Sequence, residues 1–206
     1  DHGFAPFERG LNVNTWLQQE GYLHLEEGRE EMGEYLQGVD WDRTRVYALG
    51  LSGLYLNLKG REARGTVSQE EAPALRAELK KKLEALRDEE RDDAVVMPRA
   101  YDTHRLYRGP FKDDAPDLIL GYSRGYRASW DTARGMAGEG VLEDNTRHWT
   151  GDHCMDPPQV PGVLLTSQPV NIDGAAMIDI APTVLDLMGV AKPMNMTGRS
   201  LVKEDA

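Results

Sequence analysis

Three residues of this 206-residue chain pair metal-ligand chemistry with a local context that could present it. They are Asp1 and His2, followed by Gly3, and His153 within Gly151-Asp152-His153-Cys154. A carboxylate and an imidazole are both good ligands for zinc or a similar divalent ion. On a regular strand, neighbouring side chains point to opposite faces, so Asp1 and His2 could share an ion only at a strand end or turn. Gly3 permits such a turn. The plain alternative for each motif is a surface residue, with Cys154 as a small buried neighbour. One cysteine without paired spacing argues against a structural zinc site. His24, His104 and His148 show no ligand spacing.

A second group, Asn57, Lys59 and Arg61, follows a predicted strand. At a strand exit these side chains could bind phosphate oxygens, Arg through its fork and Lys as a point charge. A solvated hairpin turn is the alternative. Other chemistries find no foothold: Gly121 to Gly125 lacks GxGxxG spacing, and no Walker-type loop or G-x-S-x-G elbow occurs.

The elements that must carry these residues read as an α/β chain. Asn12 or Asn14 caps a short helix with Val13, Trp16 and Leu17 as its stripe, closed by Gly21. Tyr22–Leu25 alternates like a strand, and residues 27–37 read as a solvated helix. Arg45–Leu58 predicts two strands around a turn. Ser68–Glu90 is the clearest helix, with capping-box spacing of Ser68 and Glu71 and leucines at 75, 79, 83 and 86. Ala94–Pro98, Asp117–Tyr122 and Val163–Thr166 read as strands. Residues 123–162 read as a long loop, with Tyr126, Trp130 and Trp149 as a candidate substrate wall. Asp179 caps a last helix that stops at Gly189. Strands alternating with helices predict a sheet covered on both faces, without an interdomain linker.

Composition narrows the function classes. Hydrophobic residues make up 40% and charged residues 29%, an ordinary globular balance. A net charge of −11 is a poor footprint for nucleic acid, and bound cations or a few placed basic groups would have to attract an anionic substrate. No apolar run reaches membrane-helix length. A single cysteine fits a reducing compartment, which favours the cytoplasm. The oligomeric state is left open. The chain opens on Asp, directly on a motif, as though a strand preceded it, so targeting is left open too.

Several blocks together resemble one family. They are DHGF at 1–4, NVNTWL at 12–17, VDWDRTRVYALGLSGLYLNLKGRE at 39–62 and APDLILGY at 115–122. EDNTRHWTGDHC at 143–154, IDIAPTVLDLMGV and the GRSL at 198–201 complete the set. In this order they resemble the phosphohydrolases and phosphomutases of the alkaline phosphatase superfamily, relatives of type I phosphodiesterases and nucleotide pyrophosphatases. The resemblance implies an α/β sandwich, residues 1–206 being the C-terminal part of one such domain. It implies two divalent ions, usually zinc. Asp1 and His2 would bind the ion that touches the nucleophile, and His153 the other. In the family a Ser or Thr attacks phosphorus, forms a covalent intermediate, and water releases it.

The implied activity is metal-dependent hydrolysis of a small phosphomonoester or phosphodiester. A phosphomutase, or a catalytically dead relative acting as a binding module, are the alternatives. A sulfatase is disfavoured, because Cys154 is followed by Met-Asp-Pro and not by a C-x-P-x-R context. The family's nucleophile and remaining ligands lie upstream of the DHG motif. These 206 residues alone are therefore expected to bind zinc weakly and to turn over no phosphoester, which an assay of this chain alone checks.

Overall fold

The computed structural model describes residues 1–203. They form two compact units, His2–Pro161 and a second made of Asp1 with residues from Gly162 onward. No described helix is long and apolar enough to cross a membrane.

The first unit opens with β1 (Ala5–Leu11), then α1 (Val13–Gln19), β2 (Val46–Leu49) and β3 (Gly53–Leu56). Next come α2 (Ala72–Glu84), the short β4 (Arg87–Asp88) and β5 (Ala94–Val95), then β6 (Arg99–Asp102) and α3 (Thr103–Leu106). The unit closes with β7 (Leu118–Gly121), β8 (Gly125–Ala128), α4 (Trp130–Ala133), β9 (Leu142–Asp144) and β10 (Gly151–Asp152). The result is a mixed α/β architecture.

One sheet is centred on β1. Strand β8 runs parallel to it, from Phe7 opposite Gly125 to Leu11 opposite Ala128. On its other edge β1 pairs antiparallel with β10 at its start and β9 at its end. The second sheet is antiparallel throughout, in the order β2-β3-β7-β6. The expected pair of strands in 45–58 is β2 and β3, joined in register from Val46 opposite Leu56 to Leu49 opposite Gly53. A continuous core runs through Leu11, Leu17, Val46, Leu54, Leu79, Met97 and Leu118, all essentially inaccessible. Helix α2 contributes Leu75, Leu79 and Leu83 to it.

Helix α2 begins at Ala72 and not at Ser68, and the turn leading into it holds the expected reciprocal pair. The Ser68 amide donates to the Glu71 carboxylate at 3.0 Å, and the Glu71 amide donates to Ser68 Oγ at 3.2 Å. It ends at Glu84 and not at Glu90. Tertiary pull explains the early stop: Asp88 accepts from Tyr126 at 2.8 Å and lies 3.3 Å from the buried Arg9 guanidinium, which local helix preference cannot outweigh.

Other expectations are corrected. Residues 27–37 are turns with a single 3-10 turn at Glu34–Leu36: Met32 and Leu36 are buried, but the backbone turns left-handed at Gly28, Tyr35 and Leu36, which a continuous helix cannot accommodate. Tyr22–Leu25 contributes only an isolated bridge, Leu25 to Val39. Residues 123–162 are not a structureless loop, since they hold β8, α4, β9 and β10. Val163–Thr166 forms no strand.

In the second unit, α5 (Ile180–Leu187) is the expected last helix, with Gly189 at φ 68° just past its end. Asp179 anchors the preceding turn and the tail, accepting from the Ala176 amide at 2.9 Å and the Arg199 amide at 2.8 Å.

The hairpin that carries the second candidate group is knotted to a buried carboxylate. Asp117, fully inaccessible, accepts from the Leu56 amide and from Arg61 Nη2, each at 2.8 Å. His104 Nε2 stands 3.4 Å from its other oxygen. Removing one partner of a buried ion pair strands the other, at a cost of roughly 3–5 kcal/mol. Asp117→Ala should therefore lower the unfolding free energy read from urea titration by about that amount, with a lower midpoint. A midpoint within experimental error of wild type would remove Asp117 from its central role.

Candidate metal centre at the mouth of the central sheet

The antiparallel pairing of β1 with β10 sets Ala5 opposite Asp152. The residues just before β1 and just after β10 consequently emerge at the same end of the sheet. His2 and His153 meet there. Their rings are stacked, with centroids 3.7 Å apart and planes 10° from parallel. Phe4, 64% exposed, stands edge-on to both, at 5.4 Å from His2 and 5.7 Å from His153.

Gly3 fixes the entry to this corner. Its amide donates to the Val160 carbonyl at 3.0 Å, and a Cβ here would lie 2.8 Å from the Pro161 oxygen. Only glycine fits that approach. His2 Nδ1 lies 3.0 Å from the Gly3 carbonyl, an arrangement in which Nδ1–H donates and Nε2 is left as the ligating nitrogen.

His153 is aimed by its neighbour. Asp152 is buried, and its Oδ1 accepts from the amides of His153 at 2.7 Å and Cys154 at 3.0 Å. Its Oδ2 accepts from Trp149 Nε1 at 3.2 Å and lies 3.1 Å from Arg127 Nε. The Arg127 N–H is not directed at that oxygen, so the contact is electrostatic. Burial acts to raise the Asp152 carboxyl, but the Cys154 and His153 amides and the Arg127 charge outweigh it and hold it below the ordinary carboxylate range.

Arg127 is only 1% exposed, and its guanidinium is held between two rings, with the central carbon 4.2 Å from the Phe7 centroid and 4.2 Å from that of Trp130. Burial lowers its pKa from the ordinary value, against the pull of Asp152. Burial and the bond to Asp152 push the Cys154 thiol up to about 11, so it stays a thiol near neutral pH.

This donor set suits divalent cations. Ligand atoms of Asp152, His153 and Cys154 all lie within 4.8 Å of one another, and His2 adds a second imidazole. Parallel rings direct their in-plane lone pairs along separate lines, so each imidazole can serve its own ion. Their spacing is of the order of the ~3.5–4 Å between ions in a two-metal site. Asp152 is already engaged by four groups, which makes it a support for His153 more than a ligand.

The other expected residues have the following surroundings. Asp1 belongs to the second unit, where it lines a cavity of about 380 Å³ with Val163, Ala176 and Ile180. The Asn57 amide group donates to the carbonyls of Trp41, Thr44 and Arg64, and Arg61 donates to Glu62, the Leu56 carbonyl and Asp117. Both are thus engaged inside the fold, and Lys59 alone of the three is exposed. Of the aromatic wall, Tyr126 is buried against Asp88 and Trp130 packs on Arg127, while Trp149 is 55% exposed beside Asp152.

Asp152, Arg127 and Phe4 are additions that motif reading did not single out. Asp152 had a signal in its adjacency to His153. Arg127 had none, lying in a stretch without strand periodicity.

The depressed Asp152 pKa has a sign that can be tested. Its stabilisation is fully present above the ordinary carboxylate range, near pH 4, and is lost as pH falls through the lower folded value. In chelator-treated buffer, the stability gap between wild type and Asp152→Asn should be constant from pH 7 to 5 and shrink below about pH 4. A gap independent of pH in urea titrations would contradict the charge pairing.

The family model of type I phosphodiesterase / nucleotide pyrophosphatase matches residues 1–153. The 2,3-bisphosphoglycerate-independent phosphoglycerate mutase of Acholeplasma laidlawii is 43% identical over 52 residues, 25% of this chain and 10% of that protein. That of Pseudomonas savastanoi pv. phaseolicola is 35% identical over 65 residues, 31% of this chain and 12% of the relative. That of Listeria welshimeri is 46% identical over 43 residues, 20% of this chain and 8% of the relative. The chain thus spans about a tenth of the length of the curated relatives it matches. No solved structure matches it. With its family match running from the DHG motif to His153, this chain belongs to the type I phosphodiesterase / nucleotide pyrophosphatase family, phosphoryl-transfer enzymes of the alkaline phosphatase superfamily.

Proposed function

We propose that the intact protein hydrolyses a small phosphoester, and that this chain is the C-terminal part of a single alkaline-phosphatase-like sandwich domain. The observation that carries the reading is the parallel, 3.7 Å stack of His2 and His153, two ligands from distant parts of the chain held at one sheet end. Two divalent ions, zinc being the expected identity, would activate a nucleophile and stabilise the leaving oxygen. Asp1 and His2 would hold one and His153 the other.

The chain's own residues do the positioning. The Gly3 carbonyl orients the His2 ring, and Asp152 orients the His153 backbone while Arg127 holds Asp152. Phe4 packs edge-on against both rings. Bound cations would also answer how a chain of net charge −11 draws in a phosphate. The attacking hydroxyl belongs to the rest of the protein in this reading.

Phosphomutase action is the second reading, favoured by the likeness to phosphoglycerate mutases. The two are separated by assaying the intact protein with zinc on bis(p-nitrophenyl) phosphate and p-nitrophenyl phosphate, and on phosphoglycerate isomers. Release of nitrophenol that falls at least about a hundredfold in His153→Ala, or about 2.7 kcal/mol in the barrier, supports hydrolysis at this centre. Isomer interconversion without nitrophenol release supports the mutase. Nitrophenol release unchanged by the substitution removes His153 from the site.

A further inference from the structure

The segment that carries His153 also walls an apolar pocket of about 530 Å³ in the first unit. Cys154 lines it, together with Leu106, Tyr107, Ile119, Met155 and Pro157. This size and composition suit an organic group and not a bare ion. The pocket adjoins the candidate metal centre through one residue: the Cys154 sulfur lies within 4.8 Å of a ligating nitrogen of His153.

The floor is firmly held. The Asp156 amide donates to the Tyr122 carbonyl at 2.9 Å, the Met155 amide to the His153 carbonyl at 2.8 Å, and the Tyr101 hydroxyl to the Asp156 carboxylate. Arg99 stands 3.5 Å from that same carboxylate, which is itself 1% exposed. These bonds fix the turn 153–158 against β6 and β7. Leu106 and Tyr107, which also line the pocket, remain 53% and 43% exposed and form its rim.

We propose that this pocket is the ester-group subsite, selecting phosphoesters whose organic part is apolar, an aryl or alkyl group, while the phosphate lies at the histidine pair. The inference rests on the phosphoryl-transfer reading of His2 and His153. Cys154 contributes an apolar wall, not a nucleophile. The substrate class is thereby narrowed from phosphoesters in general to those with an apolar ester group that fits a slot between the 153–158 turn and the Leu106–Tyr107 rim.

The test is calorimetric titration of the intact, zinc-loaded protein with phenylphosphonate and methylphosphonate, which share a head and differ in the apolar group. Phenylphosphonate should bind at least about tenfold tighter. Leu106→Asp and Tyr107→Ala, both at the exposed rim, should erase that preference and leave methylphosphonate affinity unchanged. Equal affinities in wild type, or a preference that survives both substitutions, would overturn the subsite. Because binding is read without turnover, a preference found in a protein that hydrolyses nothing rejects the hydrolase reading alone. Turnover without any preference rejects the subsite alone.

Discussion

The corner of the molecule that matters most is organised around one buried ion contact, Arg127 with Asp152. Neither group is affordable alone in an interior. The guanidinium is stabilised by two aromatic faces, Phe7 from β1 and Trp130 from α4, and the carboxylate by amides of the residues that follow it. The contact thus ties the middle strand of the sheet, its parallel neighbour β8 and its antiparallel neighbour β10 into one assembly. His153 stands at the end of that assembly with its backbone direction already set. Its partner His2 needs only the Gly3 anchor to Val160 to reach it.

Much of the antiparallel sheet could be read in advance, because β2, β3 and β7 are short runs of Val, Ile, Leu and Tyr with a turn between them. Helix α2 carried both a cap and a leucine stripe. The central sheet was opaque for the opposite reason. Strand β1 reads APFERGL, with Pro, Gly and two charges, and its stability comes from partners about 120–150 residues away that no local window contains. The same holds for β8, whose four residues are all buried although one is Arg127. A buried arginine announces nothing in sequence; it becomes intelligible only when Phe7, Trp130 and Asp152 are seen around it.

The site was legible to the extent that its candidate ligands are chemically conspicuous. The two histidines and the glycine beside them stood out, and the family likeness joined them. Asn57 and Arg61 were conspicuous for the same reason, yet the fold uses them on carbonyls and on the buried Asp117. Residue type signals capacity for an interaction. Which partner takes it up is decided by topology.

That topology has a consequence for how the protein is made. His2 and His153 are about 150 residues apart, and the bonds that bring them together run through β1 and β10, the first and last strands of the unit. At roughly 5–20 residues per second, the ribosome delivers the second histidine some 8–30 s after the first. Throughout that interval β1 has none of its eventual sheet neighbours at its start, and a lone imidazole is a weak and indiscriminate ligand. The stacked pair of rings therefore comes into being only when the last strand closes, so the geometry of this corner belongs to a nearly finished fold and not to the nascent chain.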